Sequence, residues 1–259
     1  MWFYRISPCW KNYYYMDKFD VSLILPCYNE HEIFTDSVSR IIKVLSQTDY
    51  TWEIIFVEDK STDNTATLIK QVIKKNPRLN LTAYFHPINL GRGQAVKDGF
   101  LKAQGRFVGF IDIDLETGEW YLPQFINELE AGADAVIGWR IYDFQLWSLP
   151  RWLATKSYVW LRKLLLGLPY KDTEGGYKFF RRKKILPLLK NLKNPGWFFD
   201  TEIMAWCYRQ GFKVKEVPVA FVRNQHKTST VRLIPDSLNY LANLIKFAFK
   251  FRYAQRSRY

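Results

Sequence analysis

The chain alternates short apolar runs with amphipathic stretches, and that alternation predicts most of its elements. Residues 21–25 form a β-rich apolar run closed by Pro26, and residues 52–57, 79–85, 107–111 and 133–137 read as four further strands. Between them, Ile33, Val38, Ile41, Ile42 and Leu45 recur at three- and four-residue spacing, as do Leu68, Ile69, Val72 and Ile73, and then Ala95, Val96, Phe100 and Ala103. These sets predict helices, the second capped within the polar run at 61–65 and the third opened by Gly91-Arg92-Gly93. Such alternation predicts an α/β fold: a mostly parallel, Rossmann-like sheet with helices on both faces, binding ligand beyond the carboxyl ends of its strands. Further on, residues 149–166 read as a helix rich in Trp, Arg and Lys, 177–180 as a short strand, 199–208 as a helix stopped at Gly211, and 213–217 as a last strand.

Three predicted strand ends carry chemistry: Pro26, Glu58-Asp59 and Asp112-Ile113-Asp114. In the last, two carboxylates one residue apart emerge where a buried strand meets solvent. Buried charge is costly unless paired or bound to a cation. An all-oxygen set suits Mg²⁺ or Mn²⁺, although the motif alone fits an acidic turn equally well. A 259-residue chain that is 48% hydrophobic is sized for one large domain. The +13 net charge favours an anionic partner: nucleic acid, anionic lipid or a phosphorylated ligand. No apolar run is long enough to span a bilayer, and no secretory leader is visible. Cys9, Cys27 and Cys207 show no disulfide framework, which points to a reduced, cytoplasmic setting.

Seven segments, in order, resemble family 2 glycosyltransferases. Pro26-Cys27-Tyr28-Asn29-Glu30 is similar to the family's P-x-Y-N-E opening, 57–65 to V-[ED]-D-x-S-x-D-x-T, and 89–95 to N-x-G-x-G-x-A. Asp112-Ile113-Asp114-Leu115-Glu116 resembles the D-x-D-L-[QE] of the dolichyl-phosphate mannosyltransferase and polyprenyl-phosphate glycosyltransferase subgroup. Residues 172–180, Phe199-Asp200-Thr201-Glu202 and Glu216-Val217-Pro218-Val219 resemble that subgroup's D-x-x-x-G-[FY]-K-x-F, F-D-x-E and E-V-P-V. After E-V-P-V the subgroup carries R-x-x-G-x-S-K; here Arg223 is in place, but His226, Thr228 and Ser229 depart from it, and Lys227 is the nearest replacement charge.

The resemblance implies a GT-A fold and an inverting, metal-dependent transfer of a hexose, mannose or glucose, from GDP-mannose or UDP-glucose to a polyprenyl phosphate. It implies Asp112, Asp114 and Glu116 as metal ligands, with Glu116 on the same side as Asp114 if the chain stays extended. It implies Pro26, Tyr28, Glu30, Glu58, Asp59, Gly91, Arg92 and Asp112 around the nucleotide, with Asp59 facing the base. A phosphate acceptor is already anionic and needs cations more than a base; Arg140, Arg151, Arg223 and Lys227 are the candidates. A sugar-hydroxyl acceptor, the alternative, would need a base, for which Asp172, Asp200 and Glu202 are candidates. A nucleic-acid-binding role is disfavoured because no basic-aromatic module appears and the acidic rim repels phosphate; an inactive scaffold is disfavoured by intact Asp112 and Asp114.

The expected organisation is an aromatic extension at 1–16, a catalytic domain at 17–231, and a basic amphipathic helix at 232–259. In the first, Trp2, Phe3, Tyr4 and Trp10 suit a membrane interface, unless Met16 is the true start. In the last, Leu238, Leu241, Ile245 and Ala248 share a helical face with Lys246, Lys250, Arg252 and Arg256 nearby, as suits an anionic membrane surface or a domain core. The chain is then expected to act peripherally at the cytoplasmic membrane face, alone or with a separate membrane protein.

Overall fold

The computed structural model describes residues 17–142, 149–223 and 233–256, without the side chains of 142, 149–156, 233–238 and 252–256. Seven strands form one sheet: β1 (Phe19–Cys27), β2 (Trp52–Glu58), β3 (Leu81–Phe85), β4 (Gly105–Ile111), β5 (Ala135–Tyr142), β6 (Tyr177–Arg181) and β7 (Val214–Phe221). Their order is β3-β2-β1-β4-β6-β5-β7. All neighbours are parallel except β6, which runs antiparallel between β4 and β5. The helices are α1 (Phe34–Ser46), α2 (Thr65–Lys75), α3 (Arg92–Lys102), α4 (Leu122–Glu130), α5 (Leu149–Leu166), the short α6 (Arg182–Ile185), α7 (Phe199–Arg209) and α8 (Leu233–Arg256).

Period-two alternation divides the strands between two cores. Leu23, Leu25, Ile54 and Phe56 face α1 and α4, whereas Ile24, Ile55 and Val57 face α3, α7 and α8. The alternating pattern therefore gives a sheet covered on both faces, as predicted.

Two short helices, α4 and α6, are absent from the sequence reading. Helix α4 was not anticipated, although Leu122, Phe125, Ile126 and Leu129 are all buried at helical spacing. It is only nine residues long, and Pro123 reads as a breaker in sequence while suiting a first helical turn. At α2 the polar run 61–65 closes the helix start as expected: Asp63 Oδ1 accepts the Thr65 amide at 2.9 Å, while Asn64 makes no side-chain cap.

Candidate active site

Strands β2, β1 and β4 are adjacent, so their carboxyl ends form one rim, and the Asp59 amide donates to the Cys27 carbonyl across it (2.9 Å). Pro26 lies buried within β1 opposite Val57, and Tyr28 is exposed just beyond it. Glu58 is buried and folds back on its own loop, accepting the amides of Ser61 (2.5 Å) and Lys60 (3.2 Å). This loop is tight: Asn29 and Lys60 both have positive φ, and Asn29 Oδ1 accepts the Thr62 amide (2.8 Å). The Glu30 amide donates to Thr65 Oγ1 (2.8 Å).

Asp59 is 2% exposed and organises the neighbouring turn. Its Oδ1 accepts the Leu90 amide and faces His86 Nδ1 at 2.7 Å, and its Oδ2 accepts the Gly91 amide (2.8 Å). Gly91 has φ +94°, and a Cβ there would strike the Pro195 carbonyl, so only glycine closes this turn onto the residue 195 loop. That carbonyl also accepts the Gln94 amide (3.1 Å). The α3 N-terminus, where Gly91 and Arg92 were expected to border the nucleotide, is thus already lined with protein acceptors.

The side chain of Arg92 crosses the rim. Its Nε donates to Asp112 Oδ1 (2.7 Å) and its Nη1 to Asp200 Oδ2 (2.6 Å), while Trp197 and Phe110 cover its faces at 5.2 and 5.3 Å. Burial works against its charge, but Asp112 and Asp200 outweigh burial and raise its pKa. Asp200 also accepts Lys178 Nζ (2.9 Å), and Lys178 reaches the Gly175 carbonyl. Burial lowers the pKa of Lys178, against the pull of Asp200. The result is an alternating chain, Asp112–Arg92–Asp200–Lys178, whose formal charges cancel. Gly176 makes it possible, since a Cβ there would collide with Asp112 and Arg92.

Beyond β4 the backbone turns. Leu115 has φ +52° and its amide donates to the Asp112 carbonyl. The extended conformation that would align Glu116 with Asp114 therefore does not persist. Instead the Glu116 amide approaches Asp114 Oδ1 (3.3 Å), and the Glu116 carbonyl accepts the Val222 amide beside the end of β7. Asp112 and Asp114 remain half-exposed at the rim. Among the described residues, no three acidic, histidine or cysteine side chains gather as a cation cage.

Arg140, at the end of β5, grips Asp172 through Nε (2.7 Å) and Nη2 (3.1 Å). Asp172 also accepts the amides of Glu174 and Gly175. Burial would raise its pKa, but Arg140 prevails and lowers it to about 2. The three candidate bases are all engaged: Asp172 by Arg140, Asp200 by Arg92 and Lys178, and Glu202 by the Lys193 and Asn194 amides. Of the acceptor-side cations, Arg223 is exposed at the end of β7. The Arg151 side chain, Lys227 and the departures at His226, Thr228 and Ser229 lie outside the described residues.

Sequence reasoning assigned no role to Glu174, Gly176, Arg162, Tyr158 or Tyr240. Arg162 of α5 is fully buried and donates to Thr173 Oγ1 (2.7 Å) and the Tyr170 carbonyl. Thr173 and the hydroxyls of Tyr158 and Tyr240 all meet Thr201 Oγ1, at 2.8 to 3.2 Å, joining α5, α7 and α8 beneath the 172–176 loop. One signal was available: Lys178 sits among Tyr177, Phe179 and Phe180, and a charge inside an apolar strand needs a buried partner.

Helices α5 and α8 pack together. Inward, Leu244 and Ala248 of α8 join the core. Outward, Trp160 (66% exposed) and Leu164 on α5 and Ile245 and Phe249 (75% exposed) on α8 face solvent, with Lys163, Lys246 and Lys250 also exposed. No described helix is long and apolar enough to cross a membrane.

The fold has solved counterparts. Glucosyl-3-phosphoglycerate synthase from Mycobacterium tuberculosis, solved with Mn²⁺, uridine-diphosphate and glucosyl-3-phosphoglycerate, superposes with a TM-score of 0.62 at 18% identity, covering 98% of this chain and 86% of that one. The same enzyme with Mg²⁺ and uridine-diphosphate gives 0.60 at 16% identity, covering 95% and 85%. The shared architecture is the GT-A fold. Among sequence relatives, Glycosyltransferase AglD of Haloferax volcanii is 29% identical over 205 residues, 77% of this chain but only 32% of AglD, so the chain spans about a third of that protein. Dolichyl-phosphate beta-glucosyltransferase of Saccharomyces cerevisiae is 26% identical over 248 residues, 87% of this chain and 73% of the yeast protein. The profile described as Glycosyl transferase family 2 matches residues 22–203, most of the chain and every rim residue discussed above, and the chain belongs to that family.

Proposed function

We propose that the protein transfers a hexose from a nucleotide sugar to a polyprenyl phosphate at a membrane surface. The observation that carries the acceptor assignment is the outward face of α5 and α8. Trp160, Leu164, Ile245 and Phe249 stand exposed among Lys163, Lys246 and Lys250. Aromatic and apolar side chains interspersed with lysines suit the boundary of an anionic bilayer, where a polyprenyl chain is held. The yeast relative is named for a dolichyl-phosphate acceptor and for glucose. Of the two donors left open by sequence, UDP-glucose is therefore the one proposed.

A divalent cation fits the rim. Asp112 and Asp114 offer only oxygen, and a set too sparse to be a protein cage suits Mg²⁺ or Mn²⁺ completed by waters and a substrate diphosphate. Asp114 and the Asp112 oxygen not bonded to Arg92 would hold it. Once bound, the ion would supply positive charge against the departing nucleoside diphosphate. Around it, Arg92 fixes the Asp112 carboxylate, and Asp59 holds the Leu90–Gly91 turn that borders the nucleotide side. The acceptor phosphate brings its own negative oxygen, so the engagement of Asp172, Asp200 and Glu202 in ion pairs and turns is no obstacle. Arg140 and Arg223 lie on the acceptor side, toward β5 and β7.

The test is a donor panel of radiolabelled sugar nucleotides with polyprenyl phosphate in vesicles, with and without EDTA. The expected result is labelled lipid from UDP-glucose, lost with EDTA and with Asp114→Ala. Labelled glycan without labelled lipid would favour the sugar-hydroxyl alternative, and full transfer in EDTA would remove the cation.

A further inference from the structure

Glu174 stands apart from every other acid at the rim. Its backbone is fixed, because the amides of Glu174 and Gly175 both donate to Asp172 Oδ1 (2.9 and 3.1 Å). Its carboxylate is half-buried, yet no hydrogen bond from a described residue reaches it. An acceptor-only group in such a place is costly unless a donor arrives.

What surrounds it narrows the donor. Arg140 from β5, Arg162 from α5 and Lys178 from β6 act on it as positive charges, and Asp172 of its own loop acts as a negative one. Tyr158 from α5 and Tyr240 from α8 feel its charge in turn. The positive groups are all committed elsewhere: Arg140 grips Asp172, Arg162 holds Thr173, and Lys178 holds Asp200. Two residues along, Gly176 touches Asp112, so the loop borders the place where the donor's glycosidic bond must lie.

The proposed substrates offer four kinds of group. Diphosphate and acceptor phosphate are anions and repel a carboxylate. The nucleobase belongs with the β1–β2 loops, because Asp59 and Glu58 lie on the far side of β1 from β6. The hydroxyls of the hexose remain, and they are neutral donors. We propose that Glu174 recognises the transferred hexose, its carboxylate accepting hydrogen bonds from two neighbouring hydroxyls. This rests on the sugar-nucleotide reading above and adds to it the residue that reads the sugar.

The electrostatics agree. Burial pushes the Glu174 carboxyl up to about 7, Arg140 opposing and Asp172 adding to the rise. Hydroxyl donors favour the ionised form, so the sugar is bound best once Glu174 has lost its proton. Binding of a sugar nucleotide therefore strengthens as pH rises through neutrality.

The experiment is calorimetric titration of the full chain with UDP-glucose and with UDP, in Mg²⁺, near pH 6 and near pH 8. For wild type, UDP-glucose should bind about tenfold more tightly at the higher pH, after the same comparison with UDP removes effects of the phosphates. In Glu174→Gln that step should vanish, and UDP-glucose should bind about tenfold or more weakly near pH 8 while UDP binds as before. Equal binding of UDP-glucose by wild type and variant overturns the assignment, as does a parallel loss of UDP. Should the variant not fold, a wild-type protein with no pH step specific to UDP-glucose overturns it alone. A wild-type protein that binds no sugar nucleotide at either pH overturns the functional reading and this assignment together.

Discussion

The β1–β2–β4 rim and the α5–α8 edge are built on opposite principles. At the rim, the polar groups are matched within the fold: Asp59 accepts two amides and faces His86, and Asp112, Arg92, Asp200 and Lys178 alternate in sign. At the edge, large apolar side chains face water, and Glu174, on the loop before β6, accepts no hydrogen bond from any described residue. A nucleoside diphosphate carries a defined set of charges and hydrogen-bonding groups, so a preformed polar rim suits it. A lipid chain in a bilayer has neither, and an apolar, basic face suits it better. On the proposed function, the rim would serve the chemistry and the edge would serve partition into the bilayer.

The comparison breaks most visibly at Arg92. Arg92→Ala leaves Asp112 and Asp200 without their shared cation, so it should cost about 3 kcal/mol of stability, read by urea denaturation. It should also remove most lipid glucosylation. A variant as stable as wild type would show that the rim is not held by this network.

A smaller effect sharpens the contrast within one loop. Asp172, lowered to about 2, stabilises the fold above the ordinary aspartate pKa, and that contribution is lost as pH falls through about 2. Glu174, raised to about 7, acts in the opposite sense: what it contributes is complete below the ordinary glutamate pKa and lost as pH rises through about 7. Near pH 8, Asp172→Asn should therefore be less stable than wild type and Glu174→Gln more stable, each by on the order of 2 kcal/mol. Denaturation midpoints that move the same way would contradict this division.

The smallest effect on the folded domain belongs to the edge. Replacing both exposed aromatics, Trp160→Ser with Phe249→Ser, should leave the melting temperature nearly unchanged, because neither side chain is in the core. Sedimentation with anionic vesicles should weaken by about tenfold or more. Undiminished vesicle binding would move the membrane contact elsewhere.

Periodicity decided the elements. The runs at 21–25, 52–57 and 107–111 lie within β1, β2 and β4, and the helix read at 149–166 spans the same residues as α5. These were legible because alternation and helical spacing are properties of neighbours in the chain. The strand ends were legible for the same reason, so Asp59, Asp112 and Asp114 were found on one rim before their contacts were known. What the sequence left open involves groups far apart in it. Arg92 reaches Asp200 across 108 positions, and the Thr201 cluster joins α5, α7 and α8. Whether Asp172 is a base or an anchor, whether the α3 N-terminus is open, and whether a described donor reaches Glu174 depend on local dielectric and on donors delivered by other elements. Only the tertiary structure sets those, because burial and pairing arise when the chain closes on itself.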